Sequence, residues 1–246
     1  MDNRLIAVAI GITMIAASTP CIAGGQFVPN SESQWNGFYA GGHLGGAWGD
    51  SSWAYKNSNW FNTLGPEIVI SNFAVDVGGF VGGGQTGFNI QSGGWVFGVE
   101  GSFAGTAIDG DVRSPFFPEA DSYQVDVSSL AAVTGRLGYA WGRWLAYGKG
   151  GWAGADVALT LFDQVTPVRA KSSAWANGHT LGGGAEYALS NGFSLGVDYA
   201  YIDLDTDRFA VRCPTCPLGI GGGVPVVGSD IQIQSVTARI NYRFGN

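Results

Sequence analysis

Residues 231–246 read Ile-Gln-Ile-Gln-Ser-Val-Thr-Ala-Arg-Ile-Asn-Tyr-Arg-Phe-Gly-Asn, and from residue 236 to residue 244 they separate into two sets by parity. The even positions are apolar, from Val236 to Phe244, whereas the odd positions are polar and include Arg239 and Arg243. A period of two is the period of a β-strand, so one face of this strand is apolar and the other is polar. The stretch therefore predicts a strand that separates an apolar environment from a polar one.

Seven upstream segments show the same alternation, in places blurred by glycine. In the fourth segment, Val125, Val127 and Val133 are expected on the apolar face, and Asp126 and Arg136 on the polar face. Together with the last stretch, the chain has eight predicted strands, at about residues 36–48, 74–91, 95–106, 125–140, 144–158, 175–189, 193–205 and 231–246.

The connections between these segments are alternately long and short. The short ones are Ser92-Gly93-Gly94, Trp141-Gly142-Arg143 and Ser190-Asn191-Gly192, and the long ones cover about residues 49–73, 107–124, 159–174 and 206–230. Outer-membrane barrels sort their connections in this way, with short periplasmic turns and long outer loops. The fold class we predict is therefore all-β: a single eight-stranded, antiparallel, up-and-down transmembrane barrel. A secreted β-sandwich is the alternative if the polar faces meet bulk water.

Composition and charge narrow the function classes. The chain has 41 glycines in 246 residues, 13% aromatic residues and a formal net charge of -7. Abundant aromatic side chains with few charges argue against disorder. Phosphate binding needs basic clusters, and the acidic balance without such clusters excludes nucleic acid as an expected partner.

The first 23 residues have the architecture of a secretory signal peptide. Arg4 precedes an apolar run from Leu5 to Ala17, and the segment ends in small residues before Ala23. The run is too short to span a bilayer as a helix. We predict a cleaved signal peptide at residues 1–23, a barrel domain at residues 24–246, and a location in the outer membrane of a Gram-negative bacterium.

The charged residues within the predicted strands lie mostly on the polar face. An arginine or lysine facing lipid at mid-depth would cost roughly 2–4 kcal/mol, so these residues are expected in the lumen. The sequence favours a salt-bridged plug, in which Glu100 pairs with Arg136 and Asp198 with Arg239 across adjacent strands; a narrow gated pore is the alternative. The full set of expected lumen charges is Glu100, Arg136, Lys149, Glu186, Asp198, Arg239 and Arg243.

Catalytic, metal and cofactor sites are not indicated. The two histidines, His43 and His179, are not placed beside Ser102 or Ser194 by any spacing, and a nucleophile needs a base within hydrogen-bond reach. Cys213 and Cys216 form a C-x-x-C without a second pair of metal ligands, and a disulfide in the last long connection is plausible in an oxidising compartment. We therefore expect no enzyme activity and no cofactor.

Several segments resemble the small opacity-type, OmpA-like eight-stranded barrels of Gram-negative bacteria, in particular the major outer-membrane proteins of alphaproteobacteria. The segments are Trp35-Asn36-Gly37-Phe38-Tyr39-Ala40-Gly41-Gly42, the glycine-rich run 78–89, Arg136-Leu137-Gly138-Tyr139-Ala140 and Tyr242-Arg243-Phe244. The resemblance implies a barrel with loops at the cell surface, usually without enzyme activity. It also implies partners: outer-membrane lipid with lipopolysaccharide, and the barrel assembly machinery through the C-terminal strand.

The function that these observations favour is structural support of the outer membrane with presentation of surface loops. Two alternatives are open. One is a narrow porin-like diffusion channel. The other is an adhesin that contacts a host or surface ligand through exposed aromatic residues of the first long connection, namely Trp53, Tyr55, Trp60 and Phe61.

Overall fold

The computed structural model describes residues 34–55, 72–114, 119, 121–163, 168–189, 191–210 and 226–244. The predicted signal peptide, Trp60, Phe61, Cys213 and Cys216 lie outside the described residues, so the predictions made for them stay predictions. None of the described residues forms a helix long and apolar enough to cross a membrane.

The described residues form one closed antiparallel barrel, which confirms the predicted fold class. Each strand pairs with the next along the chain, and the last pairs with the first to close the sheet. The strands are β1 Gly37–Tyr55, β2 Asn72–Ser92, β3 Trp95–Arg113, β4 Asp121–Trp141, β5 Trp144–Asp163, β6 Val168–Ala188, β7 Phe193–Ala210 and β8 Val226–Arg243.

The strands are much longer than the sequence pattern predicted. They contain 18 to 21 residues each, and most of what was expected to be long connection between β3 and β4 or between β5 and β6 is strand. A strand tilted across a bilayer needs only about 9–11 residues. About half of each strand is therefore available for something other than crossing the membrane.

Three tight turns connect the strands at one end of the barrel, here called the tight-turn end. Gly93 and Gly142 have φ values of 58° and 59°, and each is the first residue of a two-residue loop, as in type II′ turns. Asn191 and Gly192 both have positive φ, at 60° and 81°, as in a type I′ turn. Glycine and asparagine tolerate this left-handed region, so these sequences determine where the hairpins turn.

A broad apolar band covers the outer face of the barrel near the tight-turn end. Phe80 is 74% exposed, Leu44 67% and Phe38 63%. Aromatic side chains contact one another around the same end, for example Trp95 with Tyr139 at a ring distance of 5.4 Å. A contiguous apolar surface of this extent, flanked by an aromatic girdle, is typical of contact with lipid.

The polarity of the two faces is inverted in the other half of the barrel, here called the long-connection half. In β8, Val236 faces outward, but the outward-facing residues before it are Gln234 and Gln232, while Ile233 and Ile231 are buried inside. The same inversion places a set of aspartates on the outer face of this half: Asp50, Asp76, Asp109, Asp126, Asp156, Asp203 and Asp230. A polar exterior around an apolar interior is the pattern of a water-soluble barrel.

The interior of the long-connection half is a hydrophobic core contributed by all eight strands. Trp53 is fully buried there and stacks on Phe73 at a ring distance of 6.4 Å. The prediction that Trp53 is an exposed loop residue is therefore wrong. The parity of Trp53 within β1 directs its side chain inward, where its large apolar surface is removed from water.

Two register shifts explain an error in the predicted faces of β4. Val125 and Val127 were expected on the outer face with Val133, but both are buried inside, and Asp126 faces outward. The β4–β5 register shifts between Val127 and Ser129, and the β3–β4 register shifts between residues 105 and 108. A β-bulge adds one residue and exchanges the two faces, so one parity cannot describe the whole strand.

Candidate functional site

The seven charged residues expected in the lumen all point into the tight-turn half of the barrel. Six of them are at most 6% exposed, and the Lys149 side chain is 11% exposed. They come from β3, β4, β5, β6, β7 and β8. They lie close together because inward-facing side chains at similar heights of a closed sheet surround the same space. An eight-stranded barrel is just wide enough for such side chains to fill it.

Among the lumen carboxylates, Glu100 has the largest number of cationic neighbours. Its carboxylate forms a short ion pair with the Nη2 of Arg239, and the Nζ of Lys149 lies 3.6 Å away. Arg136 approaches the same carboxylate, with its Nη1 at 3.8 Å. Because β8 and β3 are not neighbours in the sheet, the Glu100–Arg239 pair spans the lumen and ties opposite walls together.

Glu186 forms a second centre closer to the tight turns. Arg136 Nη2 donates to its Oε1 at 2.6 Å, and the Oγ of Ser194 and the Nδ2 of Asn241 donate to its Oε2 at 3.0 Å each. The carboxylate therefore receives three hydrogen bonds from three strands. Charge-assisted hydrogen bonds of this kind satisfy a buried ion that would otherwise carry a large desolvation cost.

The two ion pairs that the sequence suggested are the two longest in the network, and each is bridged by a tyrosine. Arg136 Nη1 donates to the hydroxyl of Tyr39 at 3.0 Å, and that hydroxyl donates to Glu100 at 2.7 Å. The second pair, Arg239 with Asp198, has an Nη1–Oδ1 distance of 3.9 Å.

The bridge in the second pair is Tyr147. Arg239 Nη1 donates to its hydroxyl at 3.0 Å, and the hydroxyl donates to Asp198 Oδ1 at 2.8 Å. Asp198 also forms a short ion pair with Lys149. The guanidinium of Arg136 lies 3.8 Å from the centre of the Tyr147 ring, so this tyrosine contacts both arginines.

The two bridging tyrosines are not among the lumen residues that the sequence predicts. Tyr39 and Tyr147 lie in β1 and β5, the two strands whose alternation is blurred by glycine. A usable signal exists for Tyr147, because it has the same parity as Lys149 and so shares the inner face. Nothing in the sequence indicates which acid and base each hydroxyl would join.

Arg243 stands apart from the network. Among the described residues no carboxylate lies within ion-pair distance of it, and its guanidinium lies 5.1 Å from the ring of Trp35. Trp35 precedes β1 and is 2% exposed, packed with Val96, Leu145 and Ala188 in a small second core. The tight-turn mouth of the lumen is therefore covered by a tryptophan.

A cavity of about 80 Å³ lies between the charge network and the apolar core. Polar groups line one side, including His43, Gln85 and Lys149, and apolar groups such as Val81 and Leu130 line the other. This volume holds a few water molecules. Packed side chains on both sides of the cavity occupy the lumen.

Among the described residues, neither histidine is hydrogen-bonded to a serine hydroxyl. His43 and Ser102 both line the cavity, but the Nδ1 of His43 is hydrogen-bonded to Gln85 Oε1 at 2.7 Å. Ser194 donates to Glu186, and His179 is exposed on the outer face. In the part of the chain that the structure describes, no group of three or more potential metal ligands is found.

Comparison with known proteins identifies the class to which this barrel belongs. The family model for the outer membrane protein beta-barrel domain matches residues 6–244, and the chain belongs to that family. The chain is 33% identical over 202 residues to the 31 kDa outer-membrane immunogenic protein of Brucella melitensis biotype 1, covering 80% of this chain and 81% of the relative. The protein of the same description from Brucella suis biovar 1 matches equally.

Solved structures share the fold at low identity. The outer membrane protein OprG from Pseudomonas aeruginosa has a TM-score of 0.51 and 14% identity, covering 87% of this chain and all of that one. The outer membrane protease OmpT from Escherichia coli has a TM-score of 0.49 and 10% identity, with the same coverage. The first likeness supports the barrel fold, and neither bears on activity.

Proposed function

We propose that this protein is a non-enzymatic outer-membrane barrel that supports the membrane and carries loops away from the cell surface. The observation that carries the proposal is the division of each strand into two halves. The tight-turn half has an apolar exterior around a charged plug, and the other half has a polar exterior around an apolar core. The first half suits lipid, and the second suits water.

The dimensions support this division. A strand of about 20 residues is roughly 65 Å long at about 3.3 Å per residue, and a tilt of about 40° leaves a height of roughly 50 Å. The apolar band of an outer-membrane barrel is about 25 Å tall. About half of the barrel therefore projects beyond the lipid, and the strand ends that lead into the long connections are at the far end of that projection.

Cysteine labelling tests the orientation and the projection. In a Cys213→Ser, Cys216→Ser background, Ser52→Cys places a thiol on the exposed outer face of the long-connection half, and Arg143→Cys places one in an exposed tight turn. A membrane-impermeant maleimide applied to intact cells should label the first and spare the second until the outer membrane is permeabilised. Val133→Cys, in the apolar band, should resist labelling in both states. Labelling of Arg143→Cys on intact cells would contradict the proposal.

A narrow diffusion channel is the second candidate, favoured by the cavity in mid-lumen and its charged lining. Planar bilayers containing the purified protein decide between the two. A sealed scaffold should give no discrete conductance steps, whereas a gated pore should give steps that Arg239→Ala enlarges, since Arg239 holds Glu100 across the lumen. Regular wild-type steps would favour the channel.

Binding of a host or surface ligand through the loops is a further role that we propose for the same barrel. The Brucella melitensis relative is described as immunogenic, which agrees with loops that are accessible from outside. A deletion that tests an adhesin role must spare residues 51–55, since Trp53 belongs to the core. Deleting residues 56–71 should reduce binding to host cells or matrix while the boiled and unboiled forms still differ in mobility; unchanged binding would remove this role.

The expected partners follow from the same surfaces. The apolar band would contact the lipid chains, and lipopolysaccharide would surround the barrel at the outer leaflet. Tyr242 and Phe244 face outward at the end of β8, at 41% and 54% exposure. They are the side chains that the assembly machinery would meet, so replacing both with alanine should lower the amount of assembled barrel, measured by the mobility shift on boiling.

A further inference from the structure

Among the described residues, the ion pairs of the lumen leave one positive charge without a carboxylate partner. Three carboxylates, Glu100, Glu186 and Asp198, face three cations that form ion pairs with them, Arg136, Lys149 and Arg239. Arg243 is the fourth cation, so the set has a net charge of +1. Arg243 is 5% exposed, and its buried Nε has no hydrogen-bond acceptor among the described residues.

A small space lies beside Arg243 at the tight-turn mouth. Its volume is about 10 Å³, close to that of a single water-sized site, and its walls include Trp35, Asn89 and Ser194. Glu186 also lines this space, but its carboxylate already receives hydrogen bonds from Arg136, Ser194 and Asn241.

The unsatisfied polar atoms around this space are mostly donors. Among the described residues, the buried Nε1 of Trp35, Nε of Arg136 and Nε of Arg243 have no acceptor, and Asn89 Oδ1 is the one unsatisfied acceptor in this lining. Buried charges in proteins are normally paired, because the desolvation cost of an isolated ion is large. The missing partner must therefore be an acceptor, and a negatively charged one would also neutralise the excess charge.

We propose that this space is a binding site for a small monatomic anion, of the chloride class, held by Arg243 and screened from the periplasm by Trp35. Polyatomic anions such as phosphate or gluconate are too large for it. Trp35 is held in place because its backbone N–H donates to Gln91 Oε1 at 2.9 Å. The bound anion completes the charge balance of the lumen and stabilises the closed barrel.

The test compares salts at equal ionic strength. The temperature at which the detergent-solubilised protein loses its unboiled mobility should be about 3–6 °C higher in about 150 mM sodium chloride or bromide than in sodium gluconate, the shift expected for a ligand at roughly fifteen times its dissociation constant. In Arg243→Gln the two salts should give the same temperature. Arg143→Gln, which removes an exposed arginine from a tight turn, should keep the full difference.

A second measurement does not depend on the variant folding. Crystals of the wild-type protein grown in sodium bromide should show an anomalous bromide peak within contact distance of the Arg243 guanidinium. A water molecule at that place without anomalous signal would overturn the proposal. So would a wild-type transition temperature that is the same in chloride and gluconate, or a salt difference that persists in Arg243→Gln.

Discussion

Neutralising Glu100 is the sharpest test of the lumen plug. Glu100→Gln keeps the size of the side chain but removes the charge that faces Arg239, Lys149 at 3.6 Å and Arg136 at 3.8 Å. At an effective dielectric constant of about 20, one such pair at 4 Å is worth about 4 kcal/mol. The cost of removing Glu100 from water and its repulsion from the other carboxylates offset much of the attraction to the three cations. Removing one partner from a buried ion network typically costs about 3–5 kcal/mol, and we expect a loss of that size.

The assay is urea unfolding of the protein in lipid vesicles, followed by tryptophan fluorescence and by the mobility shift. Glu119→Gln makes the same chemical change at an exposed position and should leave the free energy of unfolding within about 0.5 kcal/mol of wild type. Double-mutant cycles should give a larger coupling energy for Glu100 with Arg239 than for Glu100 with Arg136, since a tyrosine hydroxyl separates the second pair. A Glu100→Gln loss below 1 kcal/mol, or the reverse order of coupling, would refute the plug as described.

Three further predictions use the same unfolding and mobility assays. Tyr39→Phe should cost about 1–3 kcal/mol, because the ring remains but Arg136 and Glu100 lose their shared hydroxyl; a change equal to that of the exposed Tyr139→Phe would contradict the bridge. Trp53→Ala should cost about 3–5 kcal/mol, because it opens a cavity in the core of the projecting half, and a cost below 1 kcal/mol would mean that this half is not packed. Gly83→Ala should prevent barrel formation, because its new Cβ would overlap the backbone carbonyl of Phe103, whereas Gly105→Ala meets open space and should fold; equal folded fractions would argue against the β2–β3 register.

The class of fold was accessible from local pattern alone. Alternation with a period of two, Asn191-Gly192 and the glycines at the other tight turns, and the sorting of long and short connections each depend on neighbours in sequence. The inward direction of Arg136, Arg239 and the other lumen charges was also accessible, because parity in a strand follows directly from chain geometry.

The length of the barrel was misjudged for a physical reason. The predicted strand boundaries assume lipid around every strand, so a segment whose outer face is polar, such as residues 107–113, was predicted as a connection although it belongs to β3. Within residues 107–113, Ile108 is buried inside while Asp109 and Asp111 face outward, so the alternation continues with a polar outer face. The change of surroundings from lipid to water along a single strand reverses which face must be apolar, and the bulge next to Val127 adds a shift of register.

By itself, the sequence determined that eight segments form strands, where the hairpins turn and which charged side chains enter the lumen of the tight-turn half, because all three are local properties of the backbone. The partners inside the lumen were decided only by the tertiary structure. Glu100 and Arg239 lie 139 residues apart on strands that are not neighbours, and closure of the sheet brings them together. The same closure leaves Arg243 beside Trp35 without a carboxylate among the described residues, because the width and stagger of the barrel set the distances across it.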